Sequence, residues 1–175
     1  NPLSFHLTPG QACDLDGADQ LLPDLVADTV LADKAYDAHE RVIASLNMPE
    51  CIEVGVAQGR GLACMATLAE FKGGKAAGVD TFNGTEGEAI EYPPQMAMLC
   101  NSHIERCGLH CLIHIGESAE VAASNPDGCA DYIFLDAAHD CDSIKRDIAA
   151  WRPKLRSGGW LAGHDYTNSE GVKQA

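Results

Sequence analysis

Apolar positions follow a strand-like and a helix-like period in alternation from Cys51 onward. The strand-like segments are short and mostly apolar, and they are Ile52–Val54, Ala76–Asp80, Cys111–Ile115, Asp131–Leu135 and Trp160–Ala162. Helix-like segments separate them, and they are Gly61–Phe71, Pro93–Gly108, Glu117–Ser124 and Asp142–Leu155. Strands that alternate with helices need right-handed crossovers and form one parallel sheet covered on both faces. The pattern therefore predicts an α/β domain with about five parallel strands.

Residues 1–47 do not join this alternation. Proline, glycine and many acidic residues interrupt the first half of the segment, which predicts irregular structure there. Val30–Ala32 has the composition of a short strand, and Asp33–Leu46 has a helical pattern. We therefore divide the chain into an N-terminal extension, residues 1–47, and an α/β domain, residues 48–175.

Composition and charge restrict the class of partner. The 175 residues are 46% hydrophobic, enough for a buried core, and their formal net charge is −14. Such a surface repels phosphate, which argues against binding to nucleic acid or to anionic membranes and favours a small neutral or cationic ligand. The sequence has no long apolar run, no basic leader and no C-x-x-C pair, so we expect a cytoplasmic protein with reduced cysteines.

A glycine loop follows the first strand of the domain. Glu53 precedes three glycines, Gly55, Gly59 and Gly61, and a helical pattern begins directly after them. Glycine lets the backbone turn sharply and lets a ligand approach closely, and a helix N-terminus offers N–H groups to an anionic ligand group. The arrangement is typical of a cofactor-binding loop, although an ordinary strand-to-helix turn would also explain it.

Acidic residues stand at the ends of three other strands. Asp80 ends the second strand, where a carboxylate can accept hydrogen bonds from ribose hydroxyls or cap a loop. Asp136 and Asp165 end the fourth and fifth strands, and with His164 they could hold a hard cation such as Mg²⁺. His139 could act as a general base near neutral pH. The alternatives are helix capping by Asp136 and a surface position for His139.

Residues 49–175 resemble the class I S-adenosylmethionine-dependent methyltransferases. The resemblance rests on the glycine loop after Glu53, on Gly78-Val-Asp80 and on Ile133-Phe-Leu-Asp136. Two further motifs, Asp136-Ala-Ala-His139 and Gly163-His164-Asp165, are similar to those of a small bacterial group of this superfamily. The resemblance implies a Rossmann-like doubly wound sheet with strand order 3-2-1-4-5. It also implies S-adenosylmethionine as the cofactor. The residues implied to bind this cofactor are Glu53 near its methionine end, Gly55, Gly59, Gly61, Asp80 at the ribose, Ser118 near the adenine, and Asp136. A plain N-cap role would equally explain Ser118.

The same resemblance implies O-methylation of a small molecule, such as a sugar or a sugar-bearing natural product, with help from Mg²⁺ and from His139. A glutamate often precedes the second metal-binding aspartate in similar enzymes, and His164 takes that place here. Similar proteins continue with a helix and an antiparallel strand pair that this sequence lacks. We therefore expect a C-terminally truncated domain, leave its activity open, and expect an exposed sheet edge beside Trp160-Leu-Ala that could drive homo-oligomerisation.

Residues 1–43 resemble a different family, the DDE transposases of bacterial insertion sequences. The resemblance rests on Phe5–Gln11, on Asp14–Pro23 and on Ala32-Asp-Lys-Ala-Tyr-Asp37. It implies that Asp33 corresponds to one of three metal-binding carboxylates, but the other two have no counterpart, and two-metal chemistry needs them all. The alternatives to an active methyltransferase are therefore an inactive fusion remnant of a mobile element and a transposase fragment.

Overall fold

One six-stranded sheet organises the described part of the chain. In the computed structural model, the described residues are 30–33, 35–84, 94–165 and 169–175. The strands are β1 (Val30–Asp33), β2 (Glu50–Val54), β3 (Lys75–Asp80), β4 (Leu112–Ile115), β5 (Ala130–Leu135) and β6 (Leu155–Gly163). All neighbouring strands are parallel, in the order β1-β6-β5-β2-β3-β4. Counted from β2, this is the predicted order 3-2-1-4-5, so the predicted fold is confirmed.

Six helices accompany the sheet among the described residues. They are α1 (Ala35–Ser45), α2 (Arg60–Phe71), α3 (Met96–Arg106), α4 (Ser118–Ser124), α5 (Cys141–Trp151) and α6 (Glu170–Gln174). None of the described helices combines the length and the apolar character that a membrane crossing requires. The long crossovers are those expected between parallel strands.

The two faces of the sheet bury separate apolar clusters. Tyr132 and Phe134 pack with residues of α1, α2 and α3, whereas Ile133 between them packs with residues of α4 and α5. Successive side chains of a strand point to opposite faces, so an unbroken apolar strand such as β5 fills both clusters. The sheet is therefore covered on both sides, and its strand ends remain available for a site.

β6 begins earlier than predicted. The α-helical pattern Asp142–Leu155 ends at Trp151 in the structure, a 3₁₀ turn covers Arg152–Lys154, and β6 starts directly at Leu155. Pro153 has no N–H to continue the α-helix, which explains the early stop. Gly158 and its neighbour therefore lie inside β6, beside a register irregularity, instead of ending a helix.

The apolar stripe of α3 was predicted in part. Met96 and Ile104 are buried as expected, but Leu99 and Cys107 are exposed and Cys100 is buried in their place. Met96, Cys100 and Ile104 follow one another at a spacing of four residues, which places their side chains on one face of the helix. Of the predicted polar loop Thr81–Tyr92, residues 85–92 lie outside the described residues.

The expected exposed edge at Trp160-Leu-Ala is wrong, because β1 occupies it. Val30–Asp33 pairs in parallel with Trp160–Gly163. The strand and helix predicted near residues 30–46 are therefore present, and this part of the N-terminal extension belongs to the same sheet as the rest. Homo-oligomerisation remains a prediction, but this edge no longer supports it. The remaining extension, residues 1–29, lies outside the described residues.

His39 anchors α1 to the sheet. Its fully buried ring lies edge-on to Phe134, with 4.7 Å between the ring centroids, and its Nδ1 lies 2.9 Å from the Tyr132 hydroxyl. Burial lowers the pKa of the His39 imidazole to about 4, so the ring is neutral at physiological pH. A neutral ring avoids the cost of an unpaired buried charge at this contact.

Trp151 provides a test of the second apolar cluster. Its indole is fully buried and donates a hydrogen bond of 2.9 Å to the Ser118 hydroxyl. We expect Trp151→Phe to lower the free energy of unfolding by about 2 to 3 kcal/mol, because it removes this hydrogen bond and leaves a cavity. Urea denaturation measures the change. Phe71→Leu, at a side chain that is 89% exposed, is the control and should change stability by less than about 0.5 kcal/mol. Equal losses in both variants would contradict this assignment.

Candidate active site

The glycine loop begins where β2 ends. Gly55 has a φ of +90°, and a Cβ there would overlap the backbone carbonyl of Asp136 and the Cα of Ala137. Only glycine combines this backbone conformation with such a close approach. The loop after β2 is thereby pressed against the segment that follows β5.

Asp80 binds this loop directly. Its Oδ2 accepts hydrogen bonds from the amides of Val56 (2.9 Å) and Ala57 (2.8 Å), and its Oδ1 accepts one from the amide of Phe82 (2.7 Å). A carboxylate has roughly four acceptor positions, so about one remains for a ligand hydroxyl. The amides of Val56 and Ala57 are therefore not available to an anionic ligand, because the protein's own carboxylate accepts their hydrogen bonds.

Glu53 lies beneath the loop. Its side chain is 3% exposed, and its Oε2 has no hydrogen-bond partner among the described residues. A Cβ at Gly61 would overlap its Oε1, so the absence of a side chain there makes room for this carboxylate below the start of α2. Burial, followed by the charges of Asp136 and Asp80, raises the pKa of Glu53 well above its usual range. A buried acid without a partner favours a cationic group nearby.

A cavity of about 560 Å³ lies at the carboxyl ends of four strands, β2 to β5. Its walls include Gly55, Asp80, Ser118 and Asp136, which are four of the predicted cofactor-binding residues. The other three do not line it: Glu53 and Gly61 lie below the loop, and Gly59 is the N-cap of α2 with a φ of +76°. Four of the predicted residues thus form part of the cavity wall, and the other three lie outside it, below the loop or at the start of α2. Ligand crevices of open α/β sheets occur at this end of the strands.

Ser118 has a different local role from the N-cap that was considered. Glu117 is the N-cap of α4, and Ser118 is the first residue of the helix. The Ser118 hydroxyl accepts the hydrogen bond from Trp151 described above. Its position in the cavity wall agrees with the expected adenine region, which stays a prediction.

Four titratable side chains meet where β5 and β6 end. His139 Nε2 lies 3.1 Å from Asp165 Oδ2 and 3.9 Å from Asp136 Oδ1. His164 Nδ1 lies 3.1 Å from Asp165 Oδ2 and 3.6 Å from Asp136 Oδ1. Candidate ligand atoms of Asp136, His139 and Asp165 all lie within 4.8 Å of one another. The predicted metal-binding residues are therefore together, and His139 joins them.

The geometry of this cluster comes from the two strand ends. Asp140, not Asp136, caps α5, because its Oδ1 accepts a 3.0 Å hydrogen bond from the Ser143 amide. Asp165 has a φ of +62°, a conformation that aspartate tolerates better than most residues. Burial raises the pKa of Asp136 to about 6, with His164 opposing the shift. Two acids and two imidazoles at this spacing suit a divalent cation or a proton transfer.

Several residues of the site were not predicted. Asp140, Ser143, Arg146 and Asp147 of the α5 region line the same cavity. Asp147 was detectable in principle, because it stands on the apolar face of α5 beside Ile148, where a buried acid is unusual. A second cavity, of about 540 Å³ and largely apolar, shares Asp136–Ala138 and Asp147 with the first.

Solved structures with the same fold include enzymes of different chemistry. A SAM-dependent O-methyltransferase from Thermotoga maritima has a TM-score of 0.58 at 20% identity, over 79% of this chain and 46% of that one. CalS11, a TDP-rhamnose 3′-O-methyltransferase of calicheamicin biosynthesis, has 0.55 at 21%, over 79% and 65%. A precorrin 8w decarboxylase from Methanobacterium thermoautotrophicum has 0.52 at 14%, over 73% and 61%.

The comparisons differ in what they establish. The chain spans about half to two thirds of the length of these proteins, and likeness at this identity shows the fold alone. No curated protein sequence matches the chain. A family model described as a methyltransferase domain matches residues 52–166, which is more than half of the chain. The chain therefore belongs to this family of methyltransferase domains.

Proposed function

We propose that this chain binds S-adenosylmethionine and methylates a hydroxyl group of a small molecule. The observation that carries the proposal is the cavity wall shared by Gly55, Asp80, Ser118 and Asp136, in a chain whose family is that of methyltransferase domains. One cavity thereby offers an acceptor for a ribose hydroxyl at Asp80 and contact with the His139 cluster at Asp136.

The residues present fit this cofactor. The absence of a Cβ at Gly55 lets the loop lie against the Asp136 carbonyl in the cavity wall, and Asp80 retains an acceptor position. Glu53 provides a buried carboxylate whose Oε2 lacks a partner among the described residues, which suits a cation such as the ammonium or sulfonium group. When bound, the cofactor supplies an electrophilic methyl group. The contribution of the chain is to hold donor and acceptor in line, which accounts for much of the rate enhancement in such reactions.

His139 is proposed as the general base. Asp165 Oδ2, 3.1 Å from His139 Nε2, can stabilise the imidazolium that forms when His139 takes a proton from the acceptor hydroxyl. Asp136, His164 and Asp165 would hold Mg²⁺. A bound Mg²⁺ ion would lower the pKa of that hydroxyl.

The acceptor is proposed to be a sugar or a sugar-bearing natural product. CalS11, which has the same fold, is a TDP-rhamnose 3′-O-methyltransferase, and this supports the choice by analogy. The chief rival is a folded but inactive remnant of a mobile-element insertion. A transposase fragment is less consistent with the net charge of −14.

Calorimetry with S-adenosylmethionine, with and without Mg²⁺, tests cofactor binding. We expect micromolar binding to the wild type and at least about tenfold weaker binding to Asp80→Ala, which loses the ribose acceptor and the anchor of the loop. Asp142→Asn, at an exposed acid on α5, is the control and should bind like the wild type. An unchanged Asp80→Ala signal would remove the ribose assignment, and no binding to the wild type would favour the inactive remnant.

Glu53 links stability to pH. Because its pKa is raised in the folded state, folding favours its protonated form. The stability that this proton provides is therefore complete below the ordinary glutamate pKa of about 4.3 and is lost as the pH rises from there toward the raised folded value. We expect thermal unfolding to show a steeper loss of stability with rising pH in the wild type than in Glu53→Gln.

The same variant should bind S-adenosylmethionine at least about tenfold more weakly, because a bound cation would lower the pKa of Glu53 and pair with its carboxylate, which an amide cannot do. Glu120→Gln, at an exposed acid of α4, is the matched control for both measurements. Parallel pH profiles for the wild type and Glu53→Gln would show that the buried carboxylate is not the titrating group.

Mg²⁺ titration followed by thermal shift tests the metal. We expect Asp136→Asn and Asp165→Asn each to weaken Mg²⁺ stabilisation by more than about tenfold, because each removes an anionic ligand. Asp142→Asn should retain it. If the two site variants and the control respond alike, the cluster serves proton transfer without a metal.

A further inference from the structure

Asp147 is a buried acid that the proposed reaction does not use. Its side chain is 8% exposed, on the inner face of α5, and it lines both cavities. Among the described residues it takes part in no salt bridge. The guanidinium of its neighbour Arg146 instead donates to the Ser143 hydroxyl at 2.7 Å. A carboxylate buried at this depth needs hydrogen-bond donors, and the apolar face of a helix is a costly place for it.

A short hydrogen-bond chain fixes Asp147 in the wall. The indole N–H of Trp151 can only donate, so the Ser118 hydroxyl accepts it at 2.9 Å. The single hydroxyl proton of Ser118 is then free to be given to Asp147, and this hydrogen bond opposes the rise that burial causes in the pKa of Asp147. The order of donors is thus set by the fully buried Trp151. Asp147 retains acceptor positions that these hydrogen bonds do not fill.

The place of Asp147 in the cavity indicates which part of a ligand its remaining acceptor positions face. The cavity extends from Asp80, the proposed ribose acceptor, to the segment Gly116–Ala119 after β4 and to Asp147 on α5. If the ribose of a nucleoside binds at Asp80, this end of the cavity is where its base can reach Ser118 and Asp147. Of the other acids of the lining, Asp80 and Asp140 already accept hydrogen bonds from backbone amides. Glu117 is exposed, and Asp136 belongs to the His139 cluster.

We propose that Asp147 is a specificity-determining residue that accepts a hydrogen bond from the exocyclic amino group of the cofactor's purine base. The inference rests on the proposed function, because it needs a nucleoside in this cavity. Ser118 is its positioning residue, because its hydroxyl accepts the hydrogen bond from Trp151 and donates to the Asp147 carboxylate. Because an acceptor left unpaired in a buried site is costly, a base without the amino group should bind more weakly.

The test compares two ligands that differ only in this group. S-adenosylhomocysteine and its analogue with an unsubstituted purine base are titrated calorimetrically into the wild type, Asp147→Ala and Asp147→Asn. We expect the wild type to prefer the amino-bearing ligand by about tenfold. In Asp147→Ala the preference should fall to within about twofold, and Asp147→Asn, which keeps one acceptor oxygen, should be intermediate. Asp142→Asn, on the exposed face of the same helix, should keep the wild-type preference.

The ratio of the two affinities distinguishes recognition of the amino group by Asp147 from a purely structural role of this residue. A merely structural Asp147 would weaken both ligands equally and leave the ratio unchanged, which would overturn the inference. Equal binding of both ligands to the wild type would also overturn it, while the proposed function would stand. Failure of both ligands to bind the wild type would count against the proposed function itself. If Asp147→Ala does not fold, the ratio in Asp147→Asn decides: it must fall below that of the wild type.

Discussion

The contact on which the site depends is the one between the Asp80 carboxylate and the amides of Val56 and Ala57. It joins the end of β3 to the loop after β2, so two neighbouring strand ends hold one another in place. The close approach of Gly55 to the Asp136 carbonyl adds β5 to the same assembly. Parallel strands place these residues at one edge of the sheet, and hydrogen bonds to a charged acceptor are among the stronger ones that a protein makes. The cavity wall is therefore preorganised before any ligand arrives.

A second constraint is the burial of acids around this wall. Burial raises the pKa of Glu53, of Asp136 and of Asp147, in each case as the largest cause. Such groups destabilise a folded chain unless donors or cations satisfy them. They lie at the strand ends and on α5, around one cavity, whereas the two apolar clusters contain none of them. Buried acids that destabilise the fold and are concentrated at one place are typical of a functional site.

The sequence was sufficient for the parts of the fold that periodicity controls. Five strands and their order followed from the alternation together with the resemblance, and the acids at strand ends came together because parallel strands end at one edge. Pairing between distant segments was not predictable in this way: nothing near Val30 specifies that β1 lies beside β6. Pro153 indicates that the helix ends before it, but the glycine pair at residues 158 and 159 favoured a later end. The partners of Asp80 and Ser118 depend on side-chain geometry, which spacing alone does not determine.

The occupied amides also restrict the kind of nucleotide that the loop accepts. In a dinucleotide site, free amides after the first strand bind a pyrophosphate. Here two of those amides donate to Asp80, so a phosphate at this place would meet the Asp80 carboxylate. At an effective dielectric constant of about 20, like charges 4 Å apart repel by about 4 kcal/mol. The loop therefore disfavours a phosphate group, which agrees with the proposed sulfonium donor and not with a pyridine or flavin dinucleotide.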